Sequence, residues 1–295
     1  MIYFSELEQG EQPRTREAID EGAWGGIQAL IKSRIEDGSF GKTYPAICFD
    51  GGSRVIGSDE TSLGQAVRAV IPAFTDPPWR GGSQDLPSTL EILDLVEFSW
   101  RNLGKPIEDG YHSHFDHYHL KFDVDAGREE FRERVNDIFR RKGLAYELRE
   151  NGCIERLAPP ILREMLAVAE FCTGDEELDA LLEKARKKFL NPDIAVRREA
   201  LEALWDSWER LKTLKGPDKK ADFPPMLDKV AGPSSPMLRE ALGKEALELT
   251  YLGNNLQIRH TETNKEPVSQ NSHIDYLFHR LFALILAILK ANSDG

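Results

Sequence analysis

An arginine and a histidine stand side by side near the C-terminal end of the chain, at Arg259 and His260. A guanidinium is a permanent cation, and an imidazole can gain or lose a proton near neutral pH. Metal-free cleavage of a phosphodiester needs these two properties, one to hold the phosphate and one to move a proton. Asn255 lies just before the pair, and His273 opens the next predicted helix. We therefore take Asn255, Arg259, His260 and His273 as the candidate catalytic residues.

The roles of these residues follow from their chemistry. Arg259 would position the phosphate, and either His260 or His273 would act as the acid and base. The alternative is structural, since Arg259 could pair with Glu262 or Glu266, and the histidines could be ordinary polar residues. Spacing alone leaves both interpretations open.

A second group of candidate ligands is the histidine-rich segment HSHFDHYHLKFDVD, residues 112–125, whose alternation predicts a strand. On one continuous strand, His112 and His114 would face one side, and His117 and His119 the other. This division favours a solvated or partner-facing strand over a metal site. We therefore assign no metal ligand and no cofactor. A metal-dependent enzyme that uses the His112–His119 cluster remains the weaker alternative.

Other signatures of chemistry are weak or absent from the sequence. The glycine segments at 51–54 and 80–82 lack the pattern of a phosphate-binding loop, and no nucleophile elbow is present. The cysteines Cys48, Cys153 and Cys172 form no CxxC pair. They fit a reducing cytoplasm and exclude a zinc ribbon.

The charge of the chain restricts its partners. The net charge is −12, and almost all of it lies in residues 1–215, which carry 29 Lys/Arg and 40 Asp/Glu. An acidic surface disfavours sequence-independent binding of nucleic acid. A site for one phosphate of an RNA substrate remains possible, as does a basic protein partner docked on the acidic N-terminal part.

No secretory signal is evident, and the longest apolar run, 281–289, is too short to cross a bilayer. We expect a cytoplasmic protein without a membrane partner.

Periodicity predicts a mainly α fold with a small α+β module. The early part combines helices at 17–37 and 86–103 with a loop-rich stretch at 51–87. The module is the strand at 112–125, a helix at 126–143 and a hairpin around Asn151-Gly152. Further helices are predicted at 160–171, 176–189, 191–214 and 236–252, and a final helix is capped by Ser272. We divide the chain into a mixed, helix- and loop-rich region at 1–110, the α+β module at 111–158 and a helical bundle at 159–295.

Two segments carry a family resemblance. VNDIFRRKGLAYELRENGCIERL, and the C-terminal YLGNNLQIRHTETNK with YLFHRLFALILAIL, resemble AbiJ-like abortive-infection proteins of bacteria. The arrangement from Asn191 onward resembles the HEPN superfamily of helical bundles, in which an Arg–His motif lies near the start of the last long helix. The resemblance covers roughly residues 115–295.

This resemblance implies a metal-independent endoribonuclease of an anti-phage or toxin–antitoxin system, and a homodimer. The arginine would contact the scissile phosphate, and the histidine would assist attack by the ribose 2′-hydroxyl. The chain departs from the family pattern, because HEPN nucleases have four to six residues between arginine and histidine, whereas Arg259 and His260 are adjacent. Either His260 acts, or His273 folds back, or the bundle is a non-catalytic module that dimerises and regulates a partner.

Overall fold

The computed structural model describes residues 4–50, 52–80, 86–258 and 265–293. Within them the protein is mainly helical, with small antiparallel sheets. The chain forms two compact units, residues 1–157 and residues 158–295.

The described residues of the first unit form helices and three two-stranded hairpins. Its helices are α1 (Phe4–Gln9), α2 (Glu21–Glu36), α3 (Glu60–Val70), α4 (Thr89–Asn102) and α5 (Val124–Arg141). Its strands are β1 (Pro45–Ile47), β2 (Val55–Ser58), β3 (Lys105–His112), β4 (His117–Asp123), β5 (Tyr146–Leu148) and β6 (Ile154–Arg156). Strand β3 crosses the predicted boundary at residue 110, and residues on both sides of that boundary belong to this unit.

The core of the first unit lies between α2, α4 and α5. Ile27 and Ile31 are one helical turn apart on α2, and both are almost fully buried. Val96 of α4 and Phe131 of α5 are buried in the same cluster. Spacing of three to four residues puts apolar side chains on one helical face, which explains why these helices pack through that face.

Local signals fix the ends of these elements. Helix α5 ends in a basic turn followed by Gly143, whose positive φ of 63° favours glycine. The β5–β6 hairpin turns at Asn151-Gly152, with Gly152 at φ 80°. The predicted helix after the histidine-rich segment and the predicted hairpin around Asn151-Gly152 are both confirmed. Helix α4 begins later than predicted, because Ser88 caps it in a reciprocal capping box with Glu91.

Two predictions for this unit are wrong. The stretch at 51–87 contains strand β2 and helix α3, which starts at the cap Asp59. The segment at 112–125 is not one strand, because the chain reverses between His112 and His117 and then enters α5 at Val124. Strand β2 of the first hairpin packs against β4 of the second.

The second unit is built from helices. They are α6 (Pro160–Val168), α7 (Glu176–Phe189), α8 (Ile194–Leu211), α9 (Lys219–Asp222), α10 (Pro224–Ala231), α11 (Pro236–Asn255) and α12 (Asn271–Ser293). Helix α8 packs against α7 and α12, and α10 packs against α11 and α12. The architecture agrees with the predicted helical bundle, and its specific likeness to HEPN bundles remains a prediction.

Helix α8 carries the largest buried side chains of this unit. The indole of Trp205 donates to the carbonyl of Leu249 at 2.9 Å, and that of Trp208 donates to Thr250 Oγ1 at 3.1 Å. Both tryptophans are buried in the core of this unit.

The apolar run of α12 is also buried, including Leu281, Phe282 and Ile285. No helix in the described ranges has both the length and the apolarity to cross a membrane.

Candidate functional site

Two places in the described structure bring chemistry-bearing side chains together. The first is a cavity of about 250 Å³ in the second unit, formed by the end of α11, the loop that follows it and the start of α12. Its polar and aromatic walls come from Glu248, Glu266, His273, Tyr276 and Arg280, and Leu252 and Leu256 supply apolar walls.

Two of the four predicted catalytic residues, Asn255 and His273, lie among the residues that the structure describes. Arg259 and His260 lie outside the described residues. His273 is exposed in the first turn of α12 and lines the cavity. Asn255 is exposed at the last position of α11, does not line the cavity, and donates its amide to the carbonyl of Tyr251 at 2.8 Å.

Both flanks of the segment that holds Arg259 and His260 are anchored beside this cavity. The backbone N–H of Gln257 donates to the carbonyl of Glu266 at 2.8 Å, which joins the two flanks. Leu256 and Glu266 both line the cavity, and Ile258 is buried. Described residues on both sides of the Arg–His segment therefore line the same cavity as His273.

The start of α12 is fixed by a buried arginine. Arg197 of α8 is 1% exposed, and its guanidinium donates to Asn271 Oδ1 at 2.7 Å. Asn271 is the first residue of α12, and the carbonyl of Gln270 accepts from the N–H of Ile274. Ser272 thus lies within the helix, and the predicted cap at Ser272 is wrong by two residues, because Gln270 holds the cap position. His273 follows two residues after this anchored position.

The charged groups of the cavity wall are mostly acidic. Arg280 donates to both carboxylate oxygens of Glu245, at 3.0 and 2.9 Å, and lies over the ring of Tyr276 at 5.3 Å. The hydrogen bonds that Arg280 donates to Glu245 raise the pKa of Arg280, so the guanidinium stays charged but is already paired. Glu248 and Glu266 add negative charge to the wall.

The second place is a cluster of one cysteine and three histidines in the first unit, Cys48, His112, His117 and His119. No two of their four candidate ligand atoms are more than 4.8 Å apart. Cys48 Sγ lies 3.4 Å from His112 Nδ1. A tetrahedral zinc site with ligand bonds of about 2.0–2.3 Å has ligand–ligand distances of about 3.3–3.8 Å, so the arrangement needs only small side-chain movements.

The hairpin explains why these histidines meet. His112 ends β3 and pairs directly with His117, the first residue of β4. Directly opposed residues of an antiparallel pair point to the same face, and so does His119 two positions further on. The sequence argument that placed His117 and His119 on the opposite face is therefore wrong. Tyr111 and Tyr118 occupy the other face, with ring centroids 5.0 Å apart.

Cys48 joins this face from another hairpin. It directly follows β1, and its backbone N–H donates to the carbonyl of Arg54 at 2.9 Å. Cys48 is 3% exposed and His119 is 5% exposed. The Nε2 atoms of His117 and His119 are buried and have no hydrogen-bond partner among the described residues.

Two charged residues border the cluster. Asp50 Oδ2 lies 3.6 Å from His112 Nδ1, and a hydrogen bond from the backbone of Gly52 holds the pKa of Asp50 below its usual value. Arg54 Nη1 lies 3.3 Å from His119 Nδ1. Burial, followed by the charge of Arg54, lowers the pKa of His119, which keeps the imidazole neutral at neutral pH.

The cluster is poorly suited to covalent catalysis by the thiol. Cys48 and Asp50 both face Nδ1 of His112. A nucleophile–base–orienter relay needs one partner on each ring nitrogen. The buried thiol is also out of reach of a substrate. Metal coordination is the chemistry that this donor set fits best.

Comparison with known proteins identifies a family for the N-terminal part of the chain. Residues 2–170 match the family model for the AbiJ N-terminal domain 4, which covers more than half of the chain. No curated protein and no solved structure gives a significant match.

Proposed function

The chain belongs to the AbiJ N-terminal domain 4 family of abortive-infection proteins, and we propose that it defends bacteria against phage by cleaving RNA. The family membership supports the defence role. The ribonuclease activity is the further step of the proposal. It is supported by the resemblance of the C-terminal half to HEPN bundles and by the cavity next to the Arg–His segment.

The observation that carries the ribonuclease proposal is the position of the residues that flank that segment. The backbone N–H of Gln257, before the segment, donates to the carbonyl of Glu266, after it, and Glu266 lines the same cavity as His273. Leu256 and Glu266, on the two sides of the segment, both line this wall, so Arg259 and His260 lie only a few residues along the chain from residues of the cavity. This supports a site in which His273 supplements or replaces His260.

The proposed reaction needs no metal. A histidine takes the proton of the ribose 2′-hydroxyl, and the 2′-oxygen forms a bond to phosphorus while the bond to the 5′-oxygen breaks. The leaving 5′-oxygen gains a proton from the enzyme, and the products are a 2′,3′-cyclic phosphate and a 5′-hydroxyl. Arg259 would neutralise charge on the phosphate in the transition state.

The negative charge of the cavity wall determines the role that we propose for Arg259. Glu248 and Glu266 repel a phosphate, and Arg280 is already paired with Glu245. Arg259 would therefore supply the positive charge that holds the substrate. Its replacement by alanine should abolish cleavage, and lysine should restore part of it because charge is kept while bidentate geometry is lost.

The test is incubation of the purified full chain with mixed RNA in EDTA. Wild-type protein should cleave RNA, and Arg259→Ala should not. Arg68→Ala is the matched control, because Arg68 is an exposed arginine of α3 in the other unit. Cleavage by Arg259→Ala at the wild-type rate would refute the site. Cleavage that requires added metal would instead favour a metal-dependent enzyme.

We also propose a homodimer through the exposed face of α11. Leu247 and Tyr251 lie one turn apart on this helix and are 74% and 60% exposed. They are the sequence neighbours of Glu248 and Leu252, which line the cavity. An interface here would bring two cavities near each other. Leu247→Glu should convert a dimer to a monomer in light scattering, and an unchanged mass would exclude this interface.

A non-catalytic regulator is the second candidate. It is favoured by the adjacency of Arg259 and His260, which departs from the HEPN pattern. The bundle would then dimerise and bind a partner, and a basic protein could dock on the acidic N-terminal part. Inert protein in the RNA assay, with a stable dimer in solution, would support this candidate.

A further inference from the structure

We propose that Cys48, His112, His117 and His119 bind one zinc ion, which joins the tips of the β1–β2 and β3–β4 hairpins. The site lies in the first unit, and this inference does not depend on the ribonuclease proposal.

The first argument is the donor set. One thiolate and three imidazoles are ligands that Zn²⁺ prefers, and four protein ligands complete a tetrahedral shell. Such a closed shell leaves no position for a catalytic water. The site is therefore structural, unlike the metal-dependent enzyme considered from the sequence.

The second argument is the state of the ring nitrogens. His117 Nε2 and His119 Nε2 are buried without a hydrogen-bond partner among the described residues. A buried polar atom that makes no hydrogen bond is costly to the fold. A cation bound by both nitrogens removes this cost, and Cys48 Sγ and His112 Nδ1, 3.4 Å apart, complete the site.

The third argument is that these hairpin tips lack an apolar core. Phe49, which follows Cys48, is 87% exposed, and Tyr111 and Phe115 beside the histidines are 52% and 41% exposed. Two-stranded hairpins are only marginally stable by themselves. A metal ion that links residues of both hairpins would supply the stabilisation that apolar burial does not.

The charged residues beside the cluster, Asp50 and Arg54, are compatible with a bound cation. Asp50, 3.6 Å from His112 Nδ1, offsets positive charge at the metal. Arg54 contacts His119 Nδ1 in the described structure. Arg54 is exposed, so its guanidinium can turn to solvent when the metal binds.

The test begins with elemental analysis of the full chain, purified without a polyhistidine tag from zinc-supplemented cells. We expect one zinc per chain. Replacement of the zinc by Co²⁺ should give visible absorption of a tetrahedral ion together with a thiolate-to-cobalt band. Only trace metal and no Co²⁺ uptake would overturn the inference.

Variants assign the ligands. Cys48→Ser should abolish the thiolate-to-cobalt band, and His119→Ala should abolish stoichiometric binding. The matched controls are Cys153→Ser and His114→Ala, because both residues are exposed in the same unit and lie outside the cluster. Wild-type spectra for Cys48→Ser, or loss of metal in His114→Ala, would contradict the assignment.

A further measurement separates metal loss from misfolding. Chelated wild-type protein should keep its helical circular dichroism, because the apolar core cluster of this unit contains no residue of the hairpin tips, 48–54 and 111–118. It should become more sensitive to protease near the 113–116 turn and regain protection on addition of Zn²⁺. Protection that is the same with and without metal would refute a role for zinc in joining the hairpins.

Discussion

The contact between Gly253 of α11 and Trp205 of α8 permits a quantitative prediction. A Cβ at position 253 would lie 2.1 Å from both Cδ1 and Nε1 of the Trp205 indole. Carbon atoms in ordinary contact are about 3.5–4.0 Å apart, so one of the two groups must move by more than an ångström. Trp205 is 1% exposed and has little space to move. Gly253→Ala must therefore separate α11 from α8.

The magnitude follows from two losses and one gain. Overpacking of a core costs about 1–3 kcal/mol. Displacement of the indole from the carbonyl of Leu249 leaves a buried donor unpaired, at a cost of about 1–3 kcal/mol. Alanine in a helix returns about 1 kcal/mol relative to glycine. We expect the free energy of unfolding to fall by roughly 2–4 kcal/mol, within the sum of these three terms.

The matched control is Gly243→Ala in the same helix. A Cβ there would meet only the guanidinium end of Arg239, at 3.2 Å. That end of a long side chain can yield by a few tenths of an ångström. The substitution should therefore stabilise the protein by about 0.5–1 kcal/mol through helix propensity. Glycine to alanine should therefore lower the free energy of unfolding at position 253 and raise it at position 243 of the same helix.

Urea unfolding measures both effects. With a slope of about 2–3 kcal/mol per molar urea, Gly253→Ala should lower the midpoint by roughly 1 M, and Gly243→Ala should raise it slightly. A stability for Gly253→Ala equal to that of the wild type would refute the close approach of α11 and α8. That approach also sets the position of the end of α11, where the Arg–His segment begins.

Other predictions concern both units. Gly152→Ala should lower the thermal midpoint strongly, because Gly152 has φ 80° and a Cβ would lie 2.2 Å from the Trp100 ring; an unchanged midpoint would exclude this packing. Ser88→Ala should cost about 1 kcal/mol in urea unfolding through loss of the cap of α4, and a cost near zero would contradict the capping box. The side-chain hydrogen bonds from Arg210 hold the pKa of Asp175 below its usual value. A carboxyl with a lowered folded-state pKa stabilises the protein above its unfolded pKa, and this contribution is lost as the pH falls through the folded pKa. Asp175→Asn should therefore have a lower free energy of unfolding than the wild type at neutral pH, and this difference in stability should shrink in acid. A difference in stability that grows in acid would contradict the lowered pKa of Asp175.

The sequence predicted elements whose signals are local. Helix α7 has the predicted bounds, because Asp175 caps it and its apolar residues keep a helical period. The β5–β6 hairpin was predicted from Asn151-Gly152, a turn that requires a positive φ. Helix α3 also carries local signals, including the cap at Asp59, but neighbouring glycines and prolines concealed them.

The histidine cluster could not be predicted in the same way. The turn between His112 and His117 lacks an Asn-Gly or Asp-Gly pair, and Asp116 adopts a positive φ of 53° without a following glycine. Missing this reversal placed the histidines on two faces. Cys48 precedes His112 by 64 residues, so only the packing of two hairpins reveals that it belongs to the cluster. Sites assembled from distant segments depend on tertiary structure, which periodicity does not report.

The catalytic proposal depends on residues selected from the sequence, and the structure describes the surroundings of two of them, His273 and Asn255. The sequence selected His273, and the structure places it in the wall of a cavity that Leu256 and Glu266, which flank the Arg–His segment, also line. Asn255, selected on the same grounds, bonds instead to its own helix. A polar residue near the end of a helix can satisfy a carbonyl of the previous turn, and sequence spacing does not distinguish this from a place in a site.

The most direct test of the central claim is the chemistry of the RNA ends made by the purified full chain in EDTA. The account predicts 2′,3′-cyclic phosphate and 5′-hydroxyl ends with the wild type and with Arg68→Ala. It predicts no such ends with Arg259→Ala. Cyclic-phosphate ends produced equally by Arg259→Ala, or no cleavage by the wild type, would contradict it.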